Sequence, residues 1–149
     1  MKKVKNERGQ SLVELAVSLV LLLTLLSGAV EFGMAFFQFI QLRDAAQEGA
    51  LYGSINPKAS APIETRARGA SSSPINLSDT SKVTVVITAY DKTTNNPKAL
   101  AVACEGDGLL VKLIYDHQIF MPFMAAVLGR TSIRLAAQVT DTVLTPVCP

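Results

Sequence analysis

The sequence predicts an α+β protein in which a long N-terminal transmembrane helix packs against a small antiparallel β-sheet domain. Three observations carry this prediction. Residues 15–30 are uncharged and strongly apolar, no proline occurs before Pro57, and the second half contains segments in which apolar and polar residues alternate. The first two observations are typical of a membrane helix, and the third is typical of half-buried strands.

The apolar segment is long enough to cross a bilayer. Residues 9–42 contain no lysine or arginine, and roughly 20 apolar residues suffice to span the hydrocarbon. We expect an unbroken helix from about residue 11 to about residue 52, roughly 60 Å long and about twice the hydrocarbon thickness. The polar end of that helix, QLRDAAQEGALYG, should therefore leave the membrane and pack on a domain.

Positive charge is concentrated in front of this helix. The first nine residues, MKKVKNERG, contain four basic residues and one acid, so the rest of the chain sums to +2 − 3 = −1. This asymmetry predicts a cytoplasmic N-terminus and an extracytoplasmic C-terminal part. Because the basic balance belongs to the N-terminal tip alone, it gives no indication of nucleic-acid binding.

Two ordinary targeting signals are alternatives for this N-terminal pattern. A cleavable secretory signal peptide fits poorly, because the apolar run is too long and SGA at 27–29 is followed by more hydrophobic sequence. An uncleaved signal anchor, with an outer domain that binds a ligand or polymer, fits the hydropathy and remains the alternative. It does not account for Glu14, whose unpaired burial in hydrocarbon costs a few kcal/mol or more, unless that side chain snorkels to the cytoplasmic interface.

The spacing between Gly9 and Glu14 offers a sharper explanation. Gly9 ends the basic tip and Glu14 is the fifth residue beyond it, an arrangement that resembles the class III leader peptides of type IV pilin-like proteins. The resemblance implies cleavage between Gly9 and Gln10 by a prepilin peptidase, which would make residues 1–9 the leader. The new α-amino group of Gln10 could then pair with Glu14 of a neighbouring subunit and fix the register of assembly.

Three segments in sequence order narrow the resemblance to one family. They are RGQSLVE, GAVEFG and AAQEGALY, at residues 8–14, 28–33 and 45–52. Together they resemble the TadE-like family of tight-adherence (Flp, type IVc) pilus systems. The resemblance implies a pilin-like, non-enzymatic minor pilin or pseudopilin, since Leu15 and the added C-terminal domain differ from the short major pilins. The implied partners are the prepilin peptidase, other pilin subunits and the inner-membrane platform, and the implied location is the bacterial inner membrane or the fibre.

Glu31 is the second acidic residue predicted to act in assembly or recognition. It lies in VEFGMAFF, 17 residues after Glu14. The alternative is an interfacial residue at the outer leaflet, since hydrocarbon that begins near residue 12 ends at about residue 31 or 32. The apolar residues beyond it would then need protein to cover them.

After the leader, we expect two regions: a transmembrane and assembly helix over residues 10–53 and an extracytoplasmic α+β domain over residues 54–149. Pro62 favours a short helix, and MPFMAAVLG at 121–129 favours a short helix or turn. Four segments read as strands: KVTVVITAYD (82–91), ALAVAC (99–104), LLVKLIY (109–115) and SIRLAAQVT (132–140).

The cysteine and histidine content argues against a metal site. Cys104 and Cys148 are too few for a four-ligand zinc site; in an extracytoplasmic domain they predict a disulfide, with two buried thiols as the alternative. His117 follows Asp116, but no partner motif for a nucleophile is present. We therefore predict no catalytic residue, no metal and no cofactor.

Overall fold

Helix α1 (Glu7–Ile55) is the longest element of the protein, whose computed structural model describes residues 7–148. With 49 residues it measures about 70 Å at ~1.5 Å per residue, somewhat longer than the sequence predicts. It stops just before Asn56–Pro57, because the residue in front of a proline disfavours helical backbone. Most of the predicted leader, residues 1–6, lies outside the described residues.

The contacts divide the described chain into two units. The first unit contains residues 7–34 and 118–132, and the second contains residues 35–117 and 133–148. The predicted division of the chain after residue 53 stays a prediction.

The second unit is built on a four-stranded antiparallel sheet with the order β2-β1-β3-β4. Its strands are β1 (Val83–Tyr90), β2 (Pro97–Lys98), β3 (Gly108–Gln118) and β4 (Ser132–Thr142). Strands β1 and β3 pair along their length, from Val83 opposite Tyr115 to Tyr90 opposite Gly108. The predicted α+β class, with a long apolar helix against a small antiparallel sheet, is confirmed.

The alternating pattern correctly predicts strands β1, β3 and β4, whereas the strand predicted over ALAVAC is wrong. That segment contains a single 3₁₀ turn at Leu100–Val102. The preceding loop is short, since Asp91 N–H donates to Asn96 O at 2.9 Å and Asn95 turns the chain with a φ of 54°. The chain therefore returns to β1 as early as Pro97–Lys98 and has left the sheet before Leu100 is reached.

The hydrophobic core of the second unit lies between the outer part of α1, helix α2 (Ser60–Gly69) and one face of the sheet. Small side chains let α1 approach closely. A Cβ added at Gly49 would lie 3.0 Å from the Ala67 Cβ, and one added at Gly53 would overlap Leu109. Core residues contributed by α1 are Leu42, Ala45, Ala46 and Ala50.

The C-terminal end of α1 is hydrogen-bonded to the C-terminal part of the chain. Leu144 N–H donates to Ser54 O at 2.7 Å, and the Thr145 hydroxyl donates to Ile55 O at 2.8 Å. The last carbonyls of a helix have no partner within the helix. These two bonds therefore supply hydrogen-bond donors to the carbonyls of Ser54 and Ile55.

The first unit combines the N-terminal part of α1, residues 7–34, with helix α3 (Pro122–Leu128). Ile119 N–H donates to Thr131 O at 3.0 Å, which closes the base of the segment that carries α3. Gly129, at a φ of 63°, ends the helix in the left-handed conformation that glycine adopts without strain. Of the predicted alternatives, helix or turn, the structure contains the helix.

Candidate assembly site on the long helix

The N-terminal part of α1, between residues 12 and 30, is apolar on all sides. Its membrane-length window has a mean hydropathy of 2.3 and none of it is buried within the chain. A helix that is hydrophobic all round needs either lipid or protein around it. Exposed large apolar residues before Glu31 are Leu12, Val13, Leu15, Val17, Leu19, Val20, Leu21, Leu22, Leu23, Leu25, Leu26 and Val30. The finding is consistent with a single-pass membrane protein.

Glu14 lies near the start of this surface. Gly9, Gln10 and Glu14 are all exposed and all helical. Gln10 and Glu14 are four positions apart, which is about 6 Å along the helix axis. Across the part of the chain that the structure describes, no hydrogen bond or ion pair reaches the Glu14 carboxylate.

Glu31 has a different environment. Only 4% of it is exposed, and its Oε2 accepts the N–H of Met121 at 2.9 Å and the N–H of Phe120 at 3.1 Å. The bonds satisfy both sides, because the carboxylate gains two donors and two backbone N–H groups gain an acceptor. The donors lie 89 and 90 residues further along the chain, and backbone N–H groups leave no mark in a sequence, so this contact was not foreseeable.

The comparisons with known proteins concern this same helix. The model of the TadE-like protein family matches residues 9–51, which is 43 of the 149 residues. Residues 9–51 are therefore similar to the TadE-like family. No curated protein and no solved structure matches the chain. The resemblance that the sequence predicts is thereby confirmed over residues 9–51; members of that family are components of Tad pilus assembly and are generally non-enzymatic.

The three TadE-like segments have three different environments. The first presents an exposed acid, Glu14; the second presents Glu31, bonded within the first unit. The third places Gly49 and its neighbouring alanines in the core of the second unit. The TadE-like pattern thus combines one position open to other molecules with two that bind the chain to itself.

The predicted disulfide is present in the second unit. Cys104 and Cys148 are bonded, 44 residues apart in sequence. The buried Asp107 lies beside them, and its carboxylate accepts hydrogen bonds from Lys98 Nζ at 2.6 Å and from the Cys104 N–H at 2.9 Å. Burial raises the pKa of Asp107, but these bonds and the Lys92 N–H outweigh it and hold the pKa below its ordinary value.

The side chains of His117 and Asp116, which are neighbours in sequence, lie in different environments. His117 is fully buried in β3, and Asp116 instead pairs with Arg134 at 3.0 Å on the surface. Within residues 7–148 no three His, Cys, Asp or Glu side chains form a group that could hold a metal ion.

Proposed function

We propose that this chain is a minor pilin or pseudopilin of a tight-adherence pilus. A prepilin peptidase cleaves it after Gly9, and it resides in the bacterial inner membrane with its N-terminus in the cytoplasm and its C-terminal domain outside. The single observation that carries the proposal is the TadE-like match, which begins at Gly9 and includes Glu14. The exposed apolar surface of α1 supports it, since such a surface suits lipid before assembly and neighbouring helices afterwards.

Assembly in this proposal depends on the pairing of Glu14 with a new amine. Cleavage after Gly9 creates an α-amino group on Gln10. Within one chain the carboxylate has no described partner, so the amine of a neighbouring subunit can approach it. A paired charge is tolerated away from water, whereas an unpaired one is penalised, and only subunits in the correct register form the pair.

Glu31 acts indirectly in the same proposal. Its carboxylate is already engaged by Phe120 and Met121, so it is poorly placed to bind a second subunit. We assign it the task of holding residues 118–132 against α1, which shapes the surface that a neighbour meets.

The deciding experiment is the intact mass and N-terminal sequence of the protein purified from membranes of a peptidase-competent cell. We expect a chain that begins at Gln10. The matched variants are Gly9→Val and Gly33→Val, because both glycines lie in α1 with open space around an added Cβ. Gly9→Val should leave the full-length chain, and Gly33→Val should be processed normally. A wild-type product that retains Met1 would contradict the proposal and leave the uncleaved signal anchor.

A further inference from the structure

The segment around α3 is mostly apolar, although it lies in the second half of the chain, far from the apolar part of α1 in sequence. Residues 118–129, QIFMPFMAAVLG, contain no charged side chain, and Arg130 follows directly. Phe123 is 56% exposed and Val127 is 65% exposed. They are four residues apart and therefore share one side of the helix. Phe120 and Leu128 are exposed as well.

The opposite side of α3 faces α1. Met124 and Ala125 are half-buried, and a Cβ added at Gly28 would lie 3.6 Å from the Met124 Sδ. The bonds from Phe120 and Met121 to Glu31 fix the start of the segment at the same level of α1. Residues 28–31 of α1 thus define the height of α3 along the long helix.

That height coincides with the edge of the membrane. Glu14 and Glu31 flank the uncharged residues 15–30, and roughly 20 helical residues cross the hydrocarbon. Glu31 therefore lies within about one helical turn of the point where α1 leaves the hydrocarbon. Both acids are near interfaces, which is where a carboxylate is least costly.

We infer that α3 is a second membrane contact, which lies in the interface of the leaflet next to Glu31. Phe123 and Val127 enter the boundary between headgroups and acyl chains, and Arg130 meets the lipid phosphates. The apolar side of an interfacial helix is buried about 5–10 Å in this way. The occupant is lipid because the exposed face of α3 adjoins the lipid-facing surface of α1 within one unit, and because a cation follows the uncharged segment at the polar boundary.

This inference does not depend on the pilus function or on the direction in which α1 is inserted. It requires only that α1 crosses a bilayer, since α3 then accompanies Glu31 to whichever leaflet contains it.

The test uses tryptophan fluorescence, because the natural sequence contains no tryptophan. Phe123→Trp and, independently, Val127→Trp are introduced into the full chain and reconstituted in phosphatidylcholine–phosphatidylglycerol vesicles at a high lipid-to-protein ratio. Quenching is measured with lipids brominated near the glycerol, with lipids brominated near the methyl end, and with iodide in water. Leu22→Trp, in the middle of the uncharged residues 15–30, is the depth standard.

We expect Leu22→Trp to be quenched best by the deep bromines. Both α3 reporters should be quenched best by the shallow bromines, about twofold or more over the deep ones, as a burial depth of about 5–10 Å requires. Iodide quenching of both α3 reporters with no response to brominated lipid would overturn the inference. It would also be overturned by shielding that develops only as the protein density rises, because a second copy would then cover α3.

Discussion

The two ends of α1 belong to one continuous helix but follow opposite rules. Between residues 12 and 30 the side chains are mostly large, branched and exposed, whereas between residues 42 and 53 those that face the domain are mostly small and buried. Small residues fix a close and permanent contact with the same chain. Large residues provide a surface for lipid or for other molecules. Side-chain size, more than hydrophobicity, therefore separates residues 42–53, which pack against the same chain, from residues 12–30, which are available to lipid or other molecules.

The strongest test of this comparison is Glu14→Gln. We expect membrane insertion and the free energy of unfolding to be unchanged, while incorporation into pili falls about 100-fold, as the loss of about 3 kcal/mol from a desolvated ion pair implies. Quantitative immunoblots of sheared pili and of membranes measure the two pools. Glu14→Asp, which keeps the charge, is the matched control and should retain most of the incorporation. Normal piliation of the Gln variant would contradict the assembly role proposed for Glu14.

Glu31→Ala tests whether an acid on the same helix can serve folding instead. It removes two hydrogen bonds to a charged acceptor, each of a type worth about 1.5–3 kcal/mol. We expect amide hydrogen exchange at Phe120 and Met121 to accelerate about 10-fold or more. In Glu14→Gln these amides should exchange as in the wild type. Equal protection in both variants would show that Glu31 does not hold the segment.

Gly53→Ala tests the buried end. The added Cβ would overlap Leu109 and lie 3.1 Å from the Ile63 Cδ1, and such overpacking costs about 1–3 kcal/mol. Denaturant unfolding in detergent micelles measures the loss. Gly33→Ala is the control, because nothing lies within 4 Å of its added Cβ; there the higher helix propensity of alanine should leave stability unchanged or slightly raised. Equal effects at both glycines would contradict the contrast in packing.

The smallest expected effect is a pH dependence confined to the second unit. Because the folded pKa of Asp107 is held below its ordinary value, its contribution to stability is complete above the unfolded pKa of about 3.9 and is lost as the pH falls through the lower folded pKa. The free energy of unfolding of Asp107→Asn should therefore decline less below about pH 4 than that of the wild type. Asp44→Asn, an exposed aspartate of α1, should follow the wild-type curve. Parallel acid curves for all three proteins would exclude this role for Asp107.

Features carried by side-chain pattern could be predicted from the sequence. The alternation of apolar and polar residues predicted β1, in which Val83 and Ala89 are buried on one face. The absence of proline before Pro57 predicted that α1 is long and unbroken. The strand predicted at residues 99–104 failed because a tight loop returned the chain earlier than its apolar content suggested.

The contact at Glu31 could not be predicted for a different reason. Its donors are backbone N–H groups about 90 residues away, and every non-proline residue carries such a group. Only the folded chain selects Phe120 and Met121 among them. Glu14 shows the reverse, since its spacing from Gly9 is visible in the sequence while the partner proposed for it lies on another molecule.

The bonds from Leu144 and Thr145 to the end of α1 impose a sequence of events during biosynthesis. About ninety residues must be synthesised after Ile55 before the helix acquires these two partners. Synthesis of the apolar part of α1 is thus separated in time from closure of its C-terminal end, and completion of the second unit is a late step that waits for the last residues of the chain.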